Sequence, residues 1–154
     1  MIQILYTDSD AILGVVGLTL DDISEDMFAA RNIVTILSVD LYNWLPNHTS
    51  IFKPPYPIPS DQDKYNSDCL VLYCTYFCAT KLIDAIFSIY ASETDGQSEY
   101  TRFSSVKPED LKRTCQSQAG YYRELLLAAI VSPTVATRVA QSTVPAPVYD
   151  PITG

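Results

Sequence analysis

Basic residues, histidine and glycine are all scarce in this chain, and each scarcity removes a class of function. Lysine and arginine total 10 against 18 acidic residues, a net charge of −8. A surface that grips nucleic acid is normally basic, so phosphate-backbone binding is not expected. His48 is the only histidine. It follows Pro46 and Asn47 in a loop and reads as a surface or capping residue; one histidine supports neither a Ser-His-Asp grouping nor a histidine-based zinc site. Glycine occurs 5 times, and the closest pair, Gly14 and Gly17, is not followed by the Gly-Lys-Ser/Thr of a phosphate loop. The first ten residues, MIQILYTDSD, lack the basic stretch and long apolar run of a secretory signal. Cytosolic synthesis is therefore expected, Asn47-His48-Thr49 is not read as a glycosylation acceptor, and Cys69, Cys74, Cys78 and Cys115 read as reduced, buried thiols. Cys74 and Cys78 share a helix face but lie in one apolar helix without a second ligand pair. Asp61 to Asp68 has the acidic spacing of a calcium loop but no glycine at its sixth position, and Leu72 stands at the twelfth. The expectation is no catalytic residues, no metal, no cofactor and no enzyme.

What is present is material for a helical core. The 154 residues are 47% apolar, enough for one domain. The densest stretch is Cys69–Tyr90, CLVLYCTYFCATKLIDAIFSIY, with Lys81 and Asp84 as its only charges and no Gly or Pro. Its apolar residues fall on most sides of a helix, which predicts a central helix with neighbours on several faces. The uncharged part is about 12 residues, short of the ~20 that cross a bilayer. The 11 tyrosines favour extensive protein contacts.

The flanking segments read as further helices. Thr7 or Asp8 can cap a short helix that ends at the Gly14–Gly17 bend. Ile23, Met27, Ala30, Val34, Leu37, Leu41 and Trp44 recur at steps of four and three, predicting one helix from Ser24 to Leu45, stopped by Pro46. Its other side, with Asn32, Thr35, Ser38 and Asn43, is uncharged for most of its length, as expected where a partner covers it. Residues 47–66, stiffened by Pro54, Pro55, Pro57 and Pro59, form a crossover. Ser67 or Asp68 would cap the central helix. Asp95-Gly96 is a tight-turn signal, and Glu99 to Phe103 alternates as a strand does, predicting a hairpin-like excursion. Pro108 suits a helix N1 position, with Glu109 and Asp110 behind it. Leu111, Cys115, Gln118 or Ala119, Tyr122, Leu126 and Ala129 then form a stripe ending near Ile130.

Residues 131–154, VSPTVATRVAQSTVPAPVYDPITG, differ in kind: four prolines, two charges and no helical stripe. They read as an extended docking arm beside a helical domain, residues 1–130. The predicted fold is mainly α: three long helices in a small bundle, a short N-terminal helix, a β-hairpin-like insertion and an extended C-terminal arm. Candidate contacts on the arm are Val135, Arg138, Val139, Val144, Val148, Tyr149 and Ile152; those on the insertion are Asp95, Gly96, Tyr100, Arg102 and Phe103.

The order of these parts resembles the head–tail adaptor (head-completion, neck connector) proteins of tailed bacteriophages. The resemblance rests on Ala11-Ile12-Leu13-Gly14-Val15, the acidic Thr19-Leu20-Asp21-Asp22, Trp44-Leu45-Pro46, the apolar helix, the insertion with Asp95-Gly96 and Arg102-Phe103, and Tyr121-Tyr122-Arg123-Glu124-Leu125-Leu126. It covers about residues 8 to 130. It implies a virion structural protein of the neck, assembled in the host cytoplasm as a homo-oligomeric ring, most often a dodecamer. Such a ring sits beneath the portal protein and meets a tail or nozzle protein. It also implies that DNA passes through without sequence-specific binding, that no membrane is involved, and that the C-terminal segment reaches neighbouring subunits or the portal. An acidic lumen would let DNA slide, since like charges repel within a Debye length of roughly 8 Å. The Pro-rich loop 54–59 and the long Pro-rich arm have no counterpart in that pattern. The alternative is a cytosolic helical module that recruits a partner protein.

Overall fold

The structure is a computed structural model that describes residues 3–18, 23, 26–30, 32–54, 58–93 and 107–139, with backbone alone at 29–30, 87–93 and 131–139. The chain is mainly helical, as predicted, and among the described residues the hairpin is at the N-terminus. Strands β1 (Gln3–Ile4) and β2 (Thr7–Asp8) pair antiparallel, Gln3 opposite Asp8 and Ile4 opposite Thr7. The turn carries Leu5 at φ 50°. Two residues per strand are too few to leave an alternating pattern. The hairpin predicted around Asp95 to Phe103 lies outside the described residues.

Helix α1 (Ser9–Val16) follows directly. Asp8 caps it by accepting a hydrogen bond from the Ala11 amide at 2.8 Å, one of the two predicted caps. Gly17, at φ 78°, closes it: its amide donates to the Gly14 carbonyl, and the Leu18 amide donates to the Leu13 carbonyl at 2.9 Å. That pair of bonds is a Schellman motif, which needs a left-handed residue and so suits glycine. Ile12, Leu13, Val16 and Leu18 are buried beneath it.

The single helix predicted from Ser24 to Leu45 is broken. Helix α2 (Asp26–Ala30) and helix α3 (Ile33–Trp44) meet at Asn32, whose φ of 52° is left-handed and ends any right-handed helix. The break re-phases the apolar face. Ile33, Leu37 and Leu41 are buried at steps of four, Trp44 is half-buried, and Val34, on the predicted stripe, is exposed. Leu45 is also buried, and Pro46 ends the segment as predicted. A short helix α4 (His48–Ile51) then stands inside the stretch read as crossover.

Helix α5 (Asp61–Glu93) begins a full two turns before the predicted caps. Ser60 is the cap. Its Oγ accepts from the Asp63 amide at 3.2 Å and donates to the Asp63 carboxylate at 2.8 Å, while its carbonyl accepts from the Lys64 amide. The acids read as a polar loop thus occupy the first turn, where the helix dipole favours them. Ser67 is instead buried, and its Oγ accepts from the Lys53 amide at 3.4 Å, holding the crossover against α5.

Helix α6 (Pro108–Val139) starts at Pro108 as predicted, with the Lys107 carbonyl receiving the Asp110 and Leu111 amides. Cys115, Ala119 and Leu126 of its predicted stripe are buried. It does not stop near Ile130. It continues through Ser132-Pro133 to Val139, although Pro133 removes one amide donor from the ladder. The bundle therefore has two long helices and a shorter α3, not three long ones.

Helix α5 organises the whole. It touches β2, α1, α3, α4 and α6, and Leu70, Cys74, Cys78, Leu82, Ile83 and Ile86 are essentially inaccessible. Residues Asp61–Ile86 contain an 18-residue window of mean hydropathy 1.5, long and apolar enough to cross a bilayer by length and composition, yet 67% of that window is buried inside the protein. Polar groups on this helix are satisfied locally. The Thr80 hydroxyl donates to the Tyr76 carbonyl at 3.0 Å and that of Thr75 to the Val71 carbonyl at 2.9 Å. Thr75 Oγ1 lies 2.7 Å from Thr7 Oγ1; with its own proton committed, it receives the Thr7 proton, joining β2 to α5. Among the described residues, no buried side-chain polar atom lacks a partner.

Candidate assembly surfaces

Helices α5 and α6 run antiparallel. Lys112 at the start of α6 pairs with Asp84 at 2.5 Å, and Tyr122, ten residues on, stacks on Tyr76, eight residues back, with centroids 5.9 Å apart. At 1.5 Å per residue each helix is about 50 Å long. The chain leaves the described residues after Glu93 and returns at Lys107 at one end of this hairpin. It leaves again after Val139, beside the start of α5, at the other. The two sequence-predicted contact segments are thus attached at opposite ends of a stiff rod. Val135, Arg138 and Val139 lie in the last turns of α6 rather than in an extended arm. Val144, Val148, Tyr149 and Ile152, and the insertion residues Asp95, Gly96, Tyr100, Arg102 and Phe103, lie outside the described residues.

The rod is locked to α3 by a four-residue cluster. The Asp40 carboxylate accepts hydrogen bonds from the Tyr73 hydroxyl and, at 2.9 Å, from Trp44 Nε1. Trp44 packs edge-on to Tyr73 at 4.9 Å, and the Arg123 guanidinium lies over the Trp44 ring at 4.9 Å. The carboxylate joins α3 to α5, and α6 is added through Arg123 on the Trp44 ring. Burial pushes the Tyr73 phenol well above its ordinary range, and the Asp40 charge adds to the rise.

The opposite face of α3 is unpartnered among the described residues. Ile36, Val39 and Tyr42 recur at a spacing of three and are 40%, 56% and 71% exposed, flanked by exposed Asn32, Thr35 and Asn43. The absence of charge on this side was visible in the sequence. The apolar residues on it follow from the break at Asn32, which turns Ile33, Leu37 and Leu41 inward.

A cleft of about 360 Å³ lies between the crossover and the start of α5. Phe52, Ile58, Pro59 and Val71 give it apolar walls, and Lys53 and Lys64 flank it. Ser67 lies at its floor and Asp68 on its rim. Nothing in the sequence pointed to it, since the crossover and the first turns of α5 come together only in the fold. Beside the cleft, Tyr6 donates to or accepts from His48 Nδ1 at 2.6 Å and packs on Phe52 at 4.8 Å. His48 therefore ties the N-terminal hairpin to α4.

The chemistry of the thiols is that of core residues. Burial pushes Cys78 up to about 12, and pushes Cys74 and Cys115 up as well. A thiol held protonated is neither a nucleophile nor a metal ligand at neutral pH. No group of three or more His, Cys, Asp or Glu among the described residues is arranged to hold a metal ion. Comparison with protein-family models, with curated proteins and with solved structures found no match to this chain.

Proposed function

We propose that this chain is a structural adaptor: a ring-forming neck protein that connects a phage portal to its tail and lines the DNA exit channel. The observation that carries this reading is the antiparallel α5–α6 rod, with one contact segment attached at each end. A protein that joins two assemblies needs two separated attachment points on a stiff body. A rod about 50 Å long supplies both without a second domain. The insertion at 94–106 serves one assembly and the Val139 end of the rod the other, while the C-terminal segment beyond it can also join neighbouring copies, with many weak contacts acting together around the ring. The acidic balance, −8 per copy, suits a lumen through which DNA moves without adhering.

The test is native mass spectrometry and electron microscopy of the full chain, alone and with a phage portal protein. A closed ring, twelvefold in the leading expectation, is the result that supports the proposal. A chain that stays monomeric and ignores the portal refutes it. A second reading, a helical module that recruits one protein partner, is favoured by the uncharged α3 face with Ile36, Val39 and Tyr42 exposed. It predicts a one-to-one complex abolished by Tyr42→Asp, with no ring.

A further inference from the structure

The cleft between the crossover and α5 has a composition that asks for a specific occupant. Its walls are apolar, and Ile58 at its edge is 85% exposed, the most exposed large apolar side chain among the described residues. Its charges are Lys53 and Lys64 against Asp68, net positive on a strongly acidic protein. A suitable ligand is a short apolar segment with a single carboxylate. The sequence after Val139 contains one charged residue, Asp150, inside Val148-Tyr149-Asp150-Pro151-Ile152.

We infer that the cleft receives residues 148–152 of a second copy of this chain. Tyr149 and Ile152 pack against Phe52, Ile58, Pro59 and Val71, and Asp150 sits between Lys53 and Lys64. Two features of the fold support this pairing. The first is position along the rod. Because α5 and α6 are antiparallel, the chain leaves Val139 at the end of α5 that carries Lys64, Ser67 and Val71. Nine residues from Val139 to Val148 reach about 30 Å when extended. Pro145, Pro147 and Pro151 favour an extended backbone and lower the cost of ordering it. The second is direction around the rod. Tyr76 and Asp84 face α6, whereas Lys64, Ser67 and Val71 lie about half a turn away on the helical wheel. The cleft therefore opens away from the chain's own α6, on the side left free for another copy. This inference rests on the ring-forming reading and names the surface that would receive the arm.

Charge reversal in the full chain tests it, with self-association measured by sedimentation velocity and folding by circular dichroism. Asp150→Lys alone, and Lys53→Glu with Lys64→Glu, should each weaken self-association by roughly tenfold or more while leaving the helical spectrum unchanged. Mixing the two variants should restore it, because every arm then meets a cleft of opposite charge. Should the lysine double variant misfold, Tyr149→Ala with Ile152→Ala provides an equivalent loss from outside the core. Rings that form equally well with every variant overturn the cleft assignment and leave the adaptor reading standing. A mixture that does not recover overturns docking between copies. A wild-type chain that never self-associates, even on the portal, overturns both.

Discussion

Asp40 and Tyr73 offer the sharpest check on how this fold is held. Tyr73 is 97% inaccessible, and its hydroxyl has Asp40 as its acceptor. Replacing Asp40 by alanine strands that hydroxyl in the core and also removes the acceptor of Trp44 Nε1. Leaving a buried donor unmade costs about 1–3 kcal/mol, and hydrogen bonds to a charged group contribute about 1.5–3 kcal/mol. Asp40→Ala should therefore destabilise by about 2–3 kcal/mol. Tyr73→Phe in the wild-type background loses one charge-assisted bond but leaves the half-exposed carboxylate bonded to Trp44, so about 1.5 kcal/mol is expected. In the Asp40→Ala background the same change removes a stranded hydroxyl and should cost nothing or stabilise slightly. The double-mutant cycle then gives a coupling of about 1.5 kcal/mol or more. Equilibrium urea unfolding followed by fluorescence reads this directly, since Trp44 is the only tryptophan and belongs to the cluster. If Tyr73→Phe costs the same in both backgrounds, to within about 0.5 kcal/mol, the carboxylate is not the shared acceptor and the three-helix lock is wrong.

Three further outcomes follow from the same structure. Leu82→Ala empties a site with no solvent access and should cost about 2–5 kcal/mol, whereas Val39→Ala on the outer face of α3 should stay within about 0.5 kcal/mol; thermal unfolding of the two separates core from surface. Gly14→Ala, exposed and inside α1 with open space around it, should stabilise by about 0.5–1 kcal/mol, while Gly17→Ala, equally free of clashes but at φ 78°, should destabilise by about 1 kcal/mol. Stability should fall above pH 9. An unfolded thiol loses its proton near 9 and folded Cys78 only near 12, so between those values the folded state binds more protons. Each such thiol then removes up to about 1.4 kcal/mol per pH unit, the loss being absent below pH 9, and Cys78→Ser should flatten the slope in a pH series of urea midpoints.

Sequence patterns were legible where they were long. Cys69 to Ile86 could only be a surrounded helix, and Pro108 with its acidic first turn and the stripe to Leu126 fixed the start and buried face of α6. The failures are local. One residue, Asn32 at φ 52°, splits a helix whose four-three spacing runs straight through it. Side-chain spacing reports which residues would align if the backbone continued, and a single left-handed residue is invisible to it. The early start of α5 is legible in Ser60-x-x-Asp63, which has the capping-box spacing, but the turns that follow are polar and carry no apolar stripe. The cleft and the Asp40 cluster were not readable at all: the first needs the fold of the crossover against α5, and the second joins residues from both sides of the crossover.

The placement of polar groups separates what folds this chain from what it presents. Helix α5 answers its threonines with its own carbonyls and with Thr7, and holds its thiols protonated by burial, so nothing on it within the core is left to react. The unanswered features all lie at the periphery: Ile36, Val39 and Tyr42 on α3, Ile58 beside the cleft, and the two exits from the long hairpin. Among the described residues the groups with the largest shifts, Cys74, Cys78 and Tyr73, are buried, and the open cleft is lined by apolar carbon, two lysines, Ser67 and Asp68. Among the described residues, buried thiols and apolar side chains exposed at separated points are what the proposed assembly role would use.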